Sequence, residues 1–257
     1  MNQYTEVSLP SVETMLDVDA HEELAQVRRE RTLNTSIAAL DDFIGGFGSS
    51  QVTLLDSSDR LLFDMVHLLC VNQVSEDGRE VVWVDGGNSI NPYSLANICK
   101  RLRIDSREIL DSVSVSRAFT AYQFVTLIDE MMEAEVERTK AGTLVVTCFP
   151  DLFLDKDMWW SESLQLMKRC ITAIQNVTRK HDTVTLVTNF GLSKLLHKKS
   201  MRSLVYGSAD KVLRLENARS AIRISLVNEG RSMLYHPVPH YQRTLDEFLG
   251  PAGKTYR

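Results

Sequence analysis

The chain alternates between short, almost continuously apolar runs and longer segments whose apolar residues recur every three or four positions. Runs of the first kind read as strands buried on both faces, and segments of the second kind as amphipathic helices. The pattern predicts a short helix over Ser36–Ile44, stopped by Gly45-Gly46, and a strand over Val52–Leu55. A helix over Leu61–Val74 follows, with Leu61, Leu62, Met65, Leu68 and Leu69 on its buried side, then a strand over Glu80–Asp85. A helix from Pro92 to about Arg103, a strand at Val113–Val115 and a long helix over Ala121–Lys140 come next. Thr143–Thr147 is a strand, Met158–Lys180 a helix and Thr183–Val187 a strand. Strands alternating with helices imply right-handed βαβ units and a mainly parallel sheet. The ending differs: Asp210–Leu215, Ala221–Val227 and Ser232–Tyr235 are strands joined by short turns, Glu216–Ser220 and Asn228–Arg231. They predict an antiparallel meander at one edge of that sheet.

Residues 1–34 read as a polar N-terminal extension with an amphipathic helix over Val12–Arg31, its apolar positions Met15, Leu16, Leu24 and Val27. Residues 35–236 read as the core, and 237–257 as a proline-bearing tail. At 257 residues the chain is long enough to bury one full α/β core. A formal charge of -5 removes any global attraction to nucleic acid, so such a contact requires a local basic patch. The four cysteines, Cys70, Cys99, Cys148 and Cys170, lie far apart among apolar neighbours and predict buried free thiols. His181, His236 and His240 have no metal-ligand spacing. No apolar run approaches a membrane span, and the N-terminus lacks the layout of a signal peptide.

Candidate chemistry begins with an omission. A glycine-rich lead, Gly45-Gly46-Phe47-Gly48-Ser49-Ser50, enters the first core strand, as in a nucleotide-binding α/β protein. Between that strand and the next helix such a protein carries G-x-x-x-x-G-K-[ST], whose backbone amides and lysine hold phosphates. Here the stretch is Asp56-Ser57-Ser58-Asp59-Arg60-Leu61-Leu62-Phe63-Asp64. It has no glycine and no lysine, and its aspartates repel a phosphate. Phe63, Leu61 and Leu62 read as core residues, and Asp56 and Asp59 as capping or solvated turn residues.

The order of elements and four sequence stretches resemble the ATPase core of the RecA/RadA recombinase superfamily. Thr35-Ser36-Ile37-Ala38-Ala39-Leu40-Asp41 with Gly45-Gly46 is similar to its "T-G-x-x-x-L-D-x-x-x-G-G" entry. Val82-Trp83-Val84-Asp85-Gly86-Gly87-Asn88-Ser89-Ile90-Asn91-Pro92 is similar to "Y-I-D-T-E-G-x-F-x-P". Ser116-Arg117-Ala118-Phe119-Thr120 is similar to "A-R-A-F-N", and Val187-Thr188-Asn189 to "I-T-N-Q". The resemblance spans about residues 33–236 and implies a RecA-like three-layer α/β core, with a mainly parallel twisted sheet and an antiparallel C-terminal edge meander. The departures from the family pattern fall on its chemistry. Phe63 and Asp64 stand at the lysine and hydroxyl positions, and Thr147 at the metal-organising aspartate. Gly87 stands at the catalytic glutamate, and Phe190 at the γ-phosphate-sensing glutamine. Positioned charge is what such catalysis needs, so the expectation is a pseudo-ATPase that binds no cofactor in its own site and leaves ATP and magnesium to a partner subunit.

The resemblance also implies where function remains. The loop after Thr188-Asn189 faces single-stranded DNA in the resembled family, and here it carries Lys194, His197, Lys198, Lys199 and Arg202, with no acid between Asp182 and Asp210. Fixed cations of this kind hold a strand by its phosphates; a solvated loop with incidental charge is the alternative. Trp159 and Trp160 at the mouth of a helix are either a partner-binding hot spot or core anchors. The N-terminal helix carries no Phe-x-x-Ala, the motif with which the resembled recombinases join the next protomer, and the family's "D-S-P" turn is replaced by Asn228-Glu229-Gly230. The implied protein is a non-catalytic paralogue, paired with another RecA-fold subunit as a heterodimer. It would assemble, cap or remodel a recombinase filament on single-stranded DNA during homologous recombination, in the nucleus if eukaryotic and the cytoplasm if prokaryotic. A protein-only scaffold that never touches DNA is one alternative, and an ATPase with an unorthodox phosphate loop built on Ser57, Ser58 and Arg60 is another.

Overall fold

A computed structural model describes residues 31–155, 158–191, 198–219 and 221–236. The expected N-terminal helix, the tail from 237 onward, Lys194, His197 and His240 lie outside these residues. Ten strands are described: β1 (Thr32–Leu33), β2 (Phe47–Gly48), β3 (Gln51–Ser57), β4 (Val81–Asp85), β5 (Val113–Arg117), β6 (Thr143–Thr147), β7 (Val184–Phe190), β8 (Lys211–Ala218), β9 (Ala221–Leu226) and β10 (Arg231–Tyr235). β1 and β2 form a small antiparallel ribbon. The others make one eight-stranded sheet in the order β10-β9-β8-β3-β7-β6-β4-β5. Pairing is parallel from β8 through β5 and antiparallel across β8-β9-β10, the expected mainly parallel sheet with an edge meander.

One face of the sheet is covered by α1 (Ala38–Ile44), α2 (Leu61–Asn72), α3 (Pro92–Leu102) and α4 (Ser106–Asp111). The other is covered by α5 (Ala121–Thr126), α6 (Met132–Thr139), α7 (Trp160–Lys180) and α8 (Lys199–Gly207). Each face has its own core. Leu62, Leu69, Trp83, Leu95 and Leu186 lie in the first; Phe124, Phe149, Phe153, Met167 and Val205 in the second. Because successive strand residues point to opposite faces, β3 sends Leu54 to one core and Leu55 to the other. Burying each such leucine contributes about 1.5–3 kcal/mol. α1 ends where the sequence placed its stop: Gly45 adopts φ 72° and donates its N–H to the Asp41 carbonyl.

Several expectations are corrected. Leu61 is 39% exposed at the start of α2, and Val66 and Cys70 join Leu62 and Leu69 on the buried side instead. The long helix over Ala121–Lys140 passes through a π-helical turn, Leu127–Met131, between α5 and α6. α4 was not legible as a separate element; Asp105 caps it by accepting the Arg107 N–H at 2.9 Å. β8 runs on to Ala218, which shortens the turn expected at Glu216–Ser220. The basic segment expected as a loop becomes helical from Lys199, with Met201 and Val205 buried beneath it. All four cysteines are free and buried, as their neighbours predicted. Among the described residues no helix is long and apolar enough to cross a membrane.

Candidate functional site

β3, β4, β6 and β7 end side by side at one edge of the sheet, the place where open parallel sheets bind ligands. The turn from β3 into α2 is closed on itself. The Asp59 amide donates to Ser57 Oγ at 2.9 Å, and the Leu61 amide to Asp59 Oδ1 at 2.9 Å. Leu62 and Phe63 donate to the carbonyls of Asp59 and Arg60. Ser57 Oγ in turn donates to the Leu215 carbonyl on β8. A phosphate cradle needs such amides free and pointing outward; these already have oxygen partners. Asp59 is a turn residue just ahead of the Arg60 N-cap, its carboxylate taken by the Leu61 amide and by Asn217.

The two substituted phenylalanines meet. The Phe63 ring of α2 and the Phe190 ring at the end of β7 have centroids 5.1 Å apart at 42°. Beside them His67, 1% exposed, accepts the Asn91 N–H on Nε2 at 3.0 Å. Its Nδ1 therefore carries the proton and donates to the Phe63 carbonyl. Burial pushes the His67 pKa below its ordinary value. Sequence reasoning missed this residue, because a single histidine in an apolar helix gives no signal of its own.

The metal position is also satisfied from within. Register places Asp85 of β4 opposite Thr147 of β6. Asp85, wholly buried, accepts the amides of Gly87 and Ser89 at 3.1 and 3.0 Å, the Thr147 hydroxyl at 3.0 Å and Arg117 Nε at 3.3 Å. Ser89 Oγ stands 2.9 Å from the same carboxylate. Burial alone pushes this carboxyl up, but hydrogen bonds from Ser89, Gly87 and Thr147 outweigh it and hold the pKa below the ordinary value. Trp83 Nε1 completes the set by donating to Thr147 Oγ1 at 3.1 Å. Gly87 has no room for a side chain: a Cβ there would lie 2.3 Å from Cys148 Sγ. Among the described residues no group of three or more histidine, cysteine or acidic side chains is arranged to hold a metal ion. The donor set does not fit a nucleotide–magnesium group: the Asp59, Leu61, Leu62 and Phe63 amides are used, the Asp85 carboxylate is saturated and the glutamate position is sterically shut.

The other face of the same edge carries charge. Asp56 is wholly buried, a correction to its expected place in a solvated turn. Register sets it directly beside Asn189 of β7 and Arg214 of β8. Asn189 Nδ2 donates to Asp56 Oδ1 at 2.8 Å, and Arg214 Nε lies 3.2 Å from Oδ2. The Tyr206 hydroxyl, from α8, also donates to Oδ2. Arg214 Nη2 donates back to that hydroxyl at 2.8 Å. Burial, then the Asp56 carboxylate, raises the Tyr206 pKa and keeps the phenol protonated. The Asn189 side-chain oxygen is buried without a hydrogen-bond partner.

Of the predicted cations, Lys198, Lys199 and Arg202 are described. Arg202 sits over the Tyr206 ring at 5.1 Å, and Lys198 Nζ over the Trp160 ring at 4.8 Å. Arg202 and Tyr206, four residues apart, share one stripe along α8, and Lys198 stands at its N-cap. The core reading of the tryptophans fails: Trp159 is 80% exposed and Trp160 39%. Tyr122, whose hydroxyl donates to Glu162 in the first turn of α7, is exposed, as is Phe119 three residues before it.

Helices on both faces of a mainly parallel sheet with an antiparallel edge, and candidate positions gathered at the strands' carboxyl ends, define a RecA-like core. Residues 28–204 match the family model Rad51, and the chain belongs to the Rad51 family. A comparison with curated proteins found no match. Family membership points to a recombination and repair role and to contacts within recombinase complexes.

Proposed function

We propose that the chain is a non-catalytic recombinase paralogue. It pairs with another RecA-fold subunit and helps assemble, cap or remodel a recombinase filament on single-stranded DNA. The observation that carries this reading is the internal closure of the nucleotide positions, seen most directly in Phe63 packed on Phe190 where lysine and sensor would face each other. Catalysis of phosphoryl transfer needs free, positioned charge at those places. ATP and magnesium then belong to the partner subunit. Lys198, Lys199 and Arg202 support direct contact with the strand, since they concentrate positive charge on a chain of net charge -5. Lys194 and His197 extend the same run in sequence.

The test is charge reversal at Lys198, Lys199 and Arg202 in the chain bound to its co-purifying subunit. Affinity for single-stranded DNA is expected to fall, together with its salt dependence; an unchanged affinity and salt slope would remove this segment from the mechanism. A second reading, a protein-only scaffold, is favoured by the exposure of Phe119, Tyr122 and Trp159. It predicts that the reversed variant retains all partner binding and all filament effects, and that capture of the partner survives nuclease.

A further inference from the structure

The buried Asp56 carboxylate collects donors from two kinds of element. Asn189 and Arg214 are its neighbours in the sheet, placed by strand register whatever the helices do. Tyr206 alone comes from α8. A carboxylate with no exposure is costly when short of a donor, so the sheet holds the helix at its last turn. The remaining ties of α8 are apolar: Met201 and Val205 are buried beneath it and Leu204 packs on the same core, while just past its end Gln175 of α7 donates to the Ser208 carbonyl at 2.8 Å. The cation stripe is indexed from this point. Arg202 lies on the Tyr206 ring one turn away, and Lys198, at the N-cap of α8, lies against Trp160.

We propose that Asp56, Tyr206 and Arg214 are positioning residues. They hold the basic stripe of α8 in its strand-facing place with no nucleotide, so that single-stranded DNA binds this chain independently of ATP. The position that begins a phosphate loop in nucleotide-binding relatives has become, in this chain, the anchor of the basic helix. The DNA half of the proposal rests on the functional reading above; the latch half does not.

The experiment measures amide hydrogen exchange over residues 199–207 and binding of labelled oligothymidylate, using the full chain. Tyr206→Phe removes only the hydroxyl and keeps the ring under Arg202. It is expected to speed exchange over residues 199–207 by about tenfold, with α7 unchanged. It should weaken oligothymidylate binding by roughly three- to tenfold at an unaltered salt slope, because the same cations still meet phosphate. Arg202→Ala should do the opposite: leave exchange near Tyr206 as it was and lower the slope by about 0.7. Asp56→Asn, similar in shape without the charge, predicts the same ordering as Tyr206→Phe and serves as the independent variant. Unmodified protein should bind equally with and without ATP and magnesium. Exchange in both latch variants equal to the unmodified chain would overturn the latch. Binding that needs ATP would overturn nucleotide independence. Failure of the unmodified chain to bind the oligonucleotide at all would overturn the DNA half together with the functional reading, while the exchange data would still judge the latch.

Discussion

Asn189 and Phe190 are neighbours in sequence and point to opposite faces of the sheet. On the α2 face, Phe190 meets Phe63, Asp85 is saturated by Ser89, Gly87 and Thr147, and Cys148 shuts the space at Gly87. On the α8 face, Asn189 joins Asp56, Arg214 and Tyr206, and beyond them stand Arg202, Lys198 and the exposed Trp159. Both regions lie on the same sheet and share the end of β7. In the first, the buried polar groups are hydrogen-bonded among themselves. In the second, buried charge supports a stripe of cations. The contrast teaches how one frame carries two unlike faces, because alternate strand residues let one face pack shut while the other holds charge.

The strongest way to break the comparison is to remove its anchor. Asp56→Ala strands Arg214 and Tyr206 without their acceptor and should cost about 3 kcal/mol, read by denaturant melts. A loss near zero would mean that the charged face does not support α8. The closed face comes next. Gly87→Glu restores the glutamate expected of an ATPase, but its side chain must displace Cys148, at a cost of about 1–3 kcal/mol. It should lower Tm and bring no ATP turnover. Phe63→Lys restores the phosphate lysine and breaks the contact with Phe190, losing about 1 kcal/mol with no gain in nucleotide binding. Appearance of ATP-dependent stabilisation in either variant would show that the face is only masked, not closed.

The smallest effect is in pH. His67 is held neutral in the fold, below its ordinary value of 6.5. Above 6.5 folded and unfolded chains are alike at this group, and its contribution is fully present. As pH falls through 6.5, the unfolded chain takes up a proton that the fold refuses, so stability declines until the folded pKa is passed. His67→Gln should flatten this part of the stability curve, measured by denaturant midpoints between about pH 7 and pH 5. Asp85 acts in a separate, more acidic window, because its pKa lies below the ordinary 3.8.

Strands and their order were legible because buried parallel strands are apolar runs, and β3, β4, β6 and β7 stand at the expected places. The omitted phosphate loop was legible because glycine and lysine are indispensable to it. What replaced the loop was not. Asp56 at the end of an apolar strand reads like a turn residue, and its partner Arg214 is 158 positions away. The clash between Gly87 and Cys148 is likewise a contact between distant segments. α8 carried a helical signal in Met201, Leu204 and Val205, but the dense lysines before it read as loop. Trp159 and Trp160 read as either core or surface because side-chain type alone does not set burial.

The central claim is that the nucleotide face is closed. ATP hydrolysis by the purified full chain, with and without single-stranded DNA, tests it most directly. The account predicts turnover no higher than a protein-free blank under both conditions, and no rise in Tm with ATP and magnesium. DNA-stimulated hydrolysis by the chain alone would contradict it.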